Sequence, residues 1–138
     1  MAQQDNHLPE KNIMDGPTFR LLRQAMGWEV SDIAAANDVN PRTIRRWESG
    51  ANPLPAFAQT WMAQKWSDWL ARIGAFIDEV EDFPAGTPVE IVTYKGPQAL
   101  ARTGSTETLS QVEATNEVLA VLLALADLEP VATPAPKE

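Results

Sequence analysis

A cluster of helix-ending and helix-starting residues in the first half of the chain most constrains its fold. Gly27, the pair Asn37-Asp38 and Gly50 accept the left-handed backbone that follows a helix. Asn40 followed by Pro41 is typical of a helix start, because asparagine caps the helix and proline fits its first position. This spacing predicts three short helices, over residues 18–26, 30–37 and 41–47, joined by tight turns.

Apolar residues within these segments predict how the second and third helices pack. Ala34 is small enough to allow a close crossing of two helices that are joined by a three- or four-residue turn. The spacing of three between Ile44 and Trp47 turns one face of the third helix inward. The expected apolar seam consists of Ile33, Val39, Ile44 and Trp47.

The opposite face of the third helix carries Arg42, Arg45 and Arg46, and no acid lies within this stretch. An arginine fork can reach O6 and N7 of guanine in the major groove, although a charged run is often only a solvated face. The chain has a net charge of -8, yet residues 18–52 carry +1, whereas residues from 53 onward carry -7. The local potential around the arginines can therefore be positive in an acidic protein.

Residues 18–53, with Ala34, Ile44 and Gly50 at fitting positions, resemble the phage-repressor-like (XRE-type) helix-turn-helix family. By this resemblance Arg23 and Glu48 form a structural ion pair that holds the helices together. The resemblance also implies that Arg42 and Arg46 contact DNA bases. The positions that the family uses for backbone phosphates fall on Asn40, Thr43 and Arg45.

The chain departs from the pattern of this family in four places. Pro41 occupies a base-reading position, although proline cannot form a side-chain hydrogen bond. Asn37 replaces an apolar residue, and Val30 replaces a polar residue that often donates to a phosphate. Asp38 replaces the turn glycine.

The second half of the chain predicts a long helix over residues 56–81, a short strand over 89–94, a short helix over 98–102 and a final helix over 109–128. The expected fold class is mainly α, with an N-terminal repressor-like helix-turn-helix bundle. Residues 1–14 are expected to form a flexible tail, 15–55 the DNA-binding domain and 56–129 an α+β dimerisation domain. Three prolines predict a disordered end over residues 130–138.

Dimerisation is expected because the final helix has many apolar residues and the single predicted strand has no predicted partner strand. Two-fold symmetry would let one polypeptide recognise a palindromic site. The order of elements is similar to that of anti-CRISPR-associated repressors, with local echoes in residues 47–50, 53–55 and 109–112. The expected interface residues are Val89, Ile91, Val112, Leu119, Leu122 and Leu123.

Composition argues against several other classes of protein. The chain has no cysteine, and its one histidine, His7, lies in the expected tail, so neither a metal site nor a cofactor is expected. The longest apolar run, residues 118–126, is shorter than the roughly 18 residues that span a membrane, and no secretory signal opens the chain. A cytoplasmic protein without enzymatic activity is therefore expected.

The sequence thus predicts a DNA-binding regulator that acts as a homodimer on a palindromic operator and represses its own operon. Two alternatives stay open. The C-terminal half could bind a toxin protein, which would make the chain the antitoxin of a toxin-antitoxin pair. The arginine face could instead follow a folded RNA.

Overall fold

The computed structural model describes residues 14–136, which form six helices and two strands. The chain is mainly helical, as predicted, with one small two-stranded parallel sheet. The elements are α1 (Gly16–Met26), α2 (Val30–Asn37), α3 (Pro41–Ser49), α4 (Ala56–Val80), β1 (Pro88–Thr93), α5 (Pro97–Ala101), α6 (Leu109–Leu125) and β2 (Glu129–Pro134).

The described chain divides into two compact units, and the boundary between them falls inside α4. Unit 1 contains residues 14–25 and Glu29–Trp66, whereas unit 2 contains Met26–Trp28 and residues 67–136. The sequence placed this boundary at residue 55, where two prolines precede α4. Helix α4 runs without a break from Ala56 to Val80. Its residues up to Trp66 belong to unit 1, and those from Ser67 onward belong to unit 2.

The core of unit 1 forms around Trp47. Its indole meets the rings of Phe19 and Phe57 edge-on, with centroid distances of 6.1 and 5.8 Å. Of the predicted seam, Ile33, Ile44 and Trp47 are buried, as is Ala34, whereas Val39 is half-buried. Aromatic pairs of this geometry add to the free energy gained by burial, so the seam fixes the face that α3 turns inward.

The start of α1 is capped by Asp15, whose carboxylate accepts a hydrogen bond of 2.9 Å from the backbone N–H of Thr18. Hydrogen bonds from the Thr18 side chain and then from its backbone N–H lower the pKa of Asp15. The helix therefore begins two residues before the position predicted from the sequence. Met14, which the sequence assigned to a flexible tail, is buried. The rest of that predicted tail, including His7, lies outside the described residues.

Unit 2 is built on the crossover between β1 and β2. The strands pair in parallel from Pro88 opposite Glu129 to Thr93 opposite Pro134, and α5 and α6 connect them. Parallel strands require such a long connection, because a tight turn joins only antiparallel neighbours. A capping box at Thr108 and Gln111 starts α6, and Leu123 is fully buried on its inner face.

The predicted disorder of the C-terminal end is wrong for residues 130–134, which belong to β2. The backbone N–H groups of Glu129 and Ala135 donate to the carbonyl groups of Thr87 and Thr93 at 2.9 Å each. By the alternation of a parallel ladder, the N–H groups of Val131 and Thr133 also face β1. Pro130 and Pro134 occupy the intervening positions, where no donor to β1 is needed.

The second strand also corrects the expected dimer interface. The partner of β1 comes from the same chain, and Val89 and Ile91 are each only 8% exposed. On α6, Leu119 and Leu123 are buried as well, while Val112 and Leu122 are half-buried. Four of the six predicted interface residues therefore pack inside this chain and do not offer a surface to a second copy.

No helix in the described part of the chain is both long enough and apolar enough to cross a membrane.

Candidate nucleic-acid interface

Helix α3 is capped at both ends by residues that the sequence had marked as helix-starting and helix-ending. Asn40 caps its start, since the side-chain oxygen of Asn40 accepts a 2.8 Å hydrogen bond from the backbone N–H of Arg42. At the other end Gly50 takes a left-handed conformation with φ of 85°, and its N–H donates to the carbonyl of Trp47. The helix is therefore short, and both of its ends are capped.

The turn between α2 and α3 accommodates two of the four departures from the family pattern. Asp38 has a left-handed backbone with φ of 55°, and its N–H donates to the carbonyl of Ala35. Aspartate tolerates this conformation better than most residues with a side chain. The amide of Asn37 donates to the backbone carbonyl of Ile33 at 3.0 Å, so this polar residue is hydrogen-bonded on its own helix.

The outer face of α3 carries the three predicted arginines. Arg42, Arg45 and Arg46 are all exposed, while Ile44, Trp47 and Glu48 are buried on the inner face. None of the three arginines has an ion-pair partner among residues 14–136. Successive residues of an α-helix are rotated by about 100° around its axis. Arg42 and Arg46 are therefore separated by about 40° around the axis of α3, and Arg45 lies about 60° from Arg42. The first two can therefore enter one groove together, with Arg45 at its side.

Arg45 shares a cleft with a second cation, which the sequence did not predict. Arg20, on α1, and Arg45 line the same shallow cleft of about 310 Å³, together with Arg23, Glu48 and two residues that carry no charge. Arg20 is exposed, and no ion pair within the described residues engages it. The only sequence signal was its spacing of three from Arg23, which places both arginines near one face of α1.

The ion pair between Arg23 and Glu48 is present with two hydrogen bonds. Nε of Arg23 donates to one carboxylate oxygen of Glu48 at 2.7 Å, and a terminal nitrogen donates to the other at 3.0 Å. Their side chains are only 12% and 7% exposed. The pair joins α1 to α3, and it neutralises the one acid of α3. The charge of Arg42, Arg45 and Arg46 is thus left uncompensated on that helix.

The remaining predicted contacts lie at the start of α3. The cap engages the side-chain oxygen of Asn40, which leaves its amide nitrogen as the donor available to an outside acceptor. Thr43 is half-buried one turn away. Both residues lie at the start of α3, where a phosphate beside the arginine face could accept hydrogen bonds from them.

Residues 14–136 contain no group of three or more histidine, cysteine or acidic side chains arranged to hold a metal ion. The chain matches neither a protein-family model nor a curated protein. The geometry of the site combines an exposed arginine face on a helix capped at both ends with a second cation, on α1, in a cleft that Arg45 also lines.

Proposed function

We propose that this chain is a DNA-binding transcriptional regulator that inserts α3 into the major groove. The observation that carries the proposal is the outer face of α3, where Arg42, Arg45 and Arg46 are exposed without an ion-pair partner among the described residues. In a chain of net charge -8, unpaired cations gathered on one helix face favour a polyanionic partner. The turn between α2 and α3 is of the length found in helix-turn-helix motifs.

In the proposed complex Arg42 and Arg46 read base edges, because they project in similar directions from the middle of the outer face. Each guanidinium can form two hydrogen bonds with a guanine. Arg45 contacts a phosphate at the groove edge, with Arg20 beside it. The amide of Asn40 and the hydroxyl of Thr43 bind phosphates at the start of α3. Phosphate contacts set the orientation of the helix, whereas the base contacts supply specificity.

The proposed regulator acts in the cytoplasm as a homodimer that represses its own operon from a palindromic site. One copy of α3 covers a half-site, and a two-fold dimer covers both halves about one helical turn apart. An apolar stripe on the C-terminal half of α6 supports the dimer. Val121 and Leu125 are 59% and 77% exposed there, and Val118 and Leu122 are partly exposed beside them.

The first test is selection of bound sequences from random duplex DNA with the full chain. We expect enrichment of a palindrome whose half-sites contain guanine at the positions that face Arg42 and Arg46. A pool of structured RNA is presented in parallel. Enrichment of RNA without enrichment of any duplex sequence would overturn the proposal.

The second test separates base contacts from phosphate contacts. Arg42→Ala and Arg46→Ala should each weaken binding to the selected site by about 1–3 kcal/mol and change binding to random duplex much less. Arg45→Ala should weaken both by a similar factor. Arg72→Ala removes the same charge from unit 2 and serves as the control. Fluorescence anisotropy measures all four, and equal affinities of Arg42→Ala and wild type for the selected site would refute the assignment.

A further inference from the structure

Unit 2 contains a cavity of about 510 Å³ at the carboxyl ends of its two parallel strands. Its walls come from three short segments: the residues that end and follow β1, those that end and follow β2, and α5 with the residues after it. Small-molecule sites occupy cavities of this size, and in parallel sheets they lie beyond the carboxyl ends of the strands. The residues most relevant to binding are Thr93, Tyr94, Lys95, Arg102, Thr103 and Pro134.

The cavity gathers the unpaired cations of unit 2. Among the described residues this unit has three cationic side chains, and Arg72 is paired with Glu107 at 3.1 Å. The other two, Lys95 and Arg102, both line the cavity, and neither has an ion-pair partner in residues 14–136. No acid lines it. In a unit that is otherwise rich in acids, this arrangement favours an anion over a neutral or cationic ligand.

The two threonine hydroxyl groups of the cavity are already committed as donors. Thr103 donates to the carbonyl of Leu100 at 2.6 Å, and Thr93 donates to the carbonyl of Thr133 at 3.4 Å. The donors left for a ligand are therefore the ammonium of Lys95, the guanidinium of Arg102 and the phenol of Tyr94. Two cations and a phenol match the several acceptor oxygens of a phosphate or carboxylate.

The rest of the wall is largely apolar. It contains the aromatic ring of Tyr94, the rigid pyrrolidine rings of Pro134 and Pro136, and two alanines. A ring of the ligand can pack there without ordering long side chains, which keeps the entropic cost of binding low. The apolar wall thus favours a ligand that has a ring in addition to its charged group.

We propose that this cavity binds a small organic anion that joins a phosphate or carboxylate to a flat ring. The charged group lies between Lys95 and Arg102, and the ring lies against Tyr94 and the prolines. A cavity formed by three segments of the chain suits a small molecule better than a nucleic-acid backbone, which needs an open track. All lining residues belong to unit 2 and none belongs to α3, so the site goes beyond the proposed function without depending on it.

Phenyl phosphate is the probe for this site. Amide signals of the ¹⁵N-labelled full chain are followed by NMR as the probe is added, with a dissociation constant of about 1 mM expected from a few exposed contacts. We expect saturable shifts confined to residues 93–95, 99–103 and 135. Inorganic phosphate should bind more weakly because it lacks the ring, and benzyl alcohol should give no saturable shift because it lacks the charge.

Two double variants test the cations. Lys95→Gln with Arg102→Gln should weaken phenyl phosphate binding about tenfold or more, since two charge-assisted contacts are lost. Lys65→Gln with Arg72→Gln removes the same total charge elsewhere and should leave binding unchanged. Equal weakening in both pairs, or phosphate binding as tightly as phenyl phosphate, would overturn the proposal. So would random duplex DNA shifting these amides more strongly than phenyl phosphate does.

Discussion

Glu48 is a buried acid on the helix whose other face carries three exposed arginines. A carboxylate on a side chain that is only 7% exposed is costly to bury unless its charge is matched, and the guanidinium of Arg23 matches it with two hydrogen bonds. The pairing also prevents Glu48 from attracting the arginines of its own helix. A single residue on α1 therefore influences both the stability of unit 1 and the charge that α3 presents.

Replacing Arg23 by leucine should destabilise the protein by about 2–4 kcal/mol, because Glu48 would be left charged and unpaired in the core. The double change Arg23→Leu with Glu48→Leu should recover most of that loss, since two apolar side chains fill the space without a buried charge. Urea unfolding followed by tryptophan fluorescence measures both. A loss below about 0.5 kcal/mol for Arg23→Leu would show that the pair contributes little.

At the scale of elements, β2 shows how prolines can be compatible with a strand. Pro130 and Pro134 fall on the positions whose backbone nitrogen faces away from β1. Ala132 holds the one N–H of residues 130–134 that faces outward, so the outer edge of β2 offers few donors to another strand. Proline at such positions protects an edge from unwanted pairing.

This register predicts different costs in stability for two neighbouring proline substitutions. Val131→Pro should cost about 1–2 kcal/mol more than Ala132→Pro, because it removes an N–H that donates to β1, whereas the N–H of Ala132 faces outward. Hydrogen exchange of the β1 amides, together with urea unfolding, measures the difference. If Ala132→Pro proved the more damaging of the two, the register would be wrong.

Strand β2 is an example of a feature that the sequence did not predict, in contrast to the helix bounds in unit 1. Residues such as Asn40 and Gly50 act through their own backbone, so the bounds of α2 and the start of α3 were predicted from local signals. The existence of β2 depends on β1, which lies some forty residues earlier, and three prolines obscured it. Apolar spacing likewise marked Leu119 and Leu123 as buried but could not tell a core from an interface.

The candidate site also contains residues that the sequence predicted and residues that it did not. The arginine face of α3 follows from helical spacing and the position of the cap, so it was predicted from the sequence. Arg20 belongs to α1, and its place beside Arg45 depends on how the helices of unit 1 pack. The cavity of unit 2 could not be found in advance either, because it needs both strands to end together.

At the scale of the whole molecule, charge is distributed unevenly along the chain. The segment that contains the arginine face is weakly basic, with +1 over residues 18–52, whereas the chain from residue 53 onward carries -7. In the proposed complex the acidic part would repel DNA and lower non-specific affinity, so that binding would depend on the contacts of α3. A single face with three arginines gives limited affinity, and a second copy would double those contacts.

The apolar stripe of α6, formed by Val118, Val121, Leu122 and Leu125, is where we expect that second copy to bind. Its spacing of three, one and three residues is that of helices that pack side by side. Leu125→Glu should raise the dimer dissociation constant about a hundredfold, since burial of two leucine side chains, one from each copy, contributes about 3 kcal/mol. Ala124→Glu places the same charge on the adjacent exposed residue, off the stripe, and should leave the dimer intact.

Light scattering gives the mass of each variant, and anisotropy with the selected duplex gives its affinity. Leu125→Glu should behave as a monomer and bind the palindrome more weakly, because its two half-sites are no longer occupied by linked heads. Its affinity for a single half-site should match that of wild type, since α3 is unchanged. A dimeric mass for Leu125→Glu would exclude the stripe as the interface. A monomeric wild type that still binds the palindrome tightly would exclude the two-fold arrangement itself.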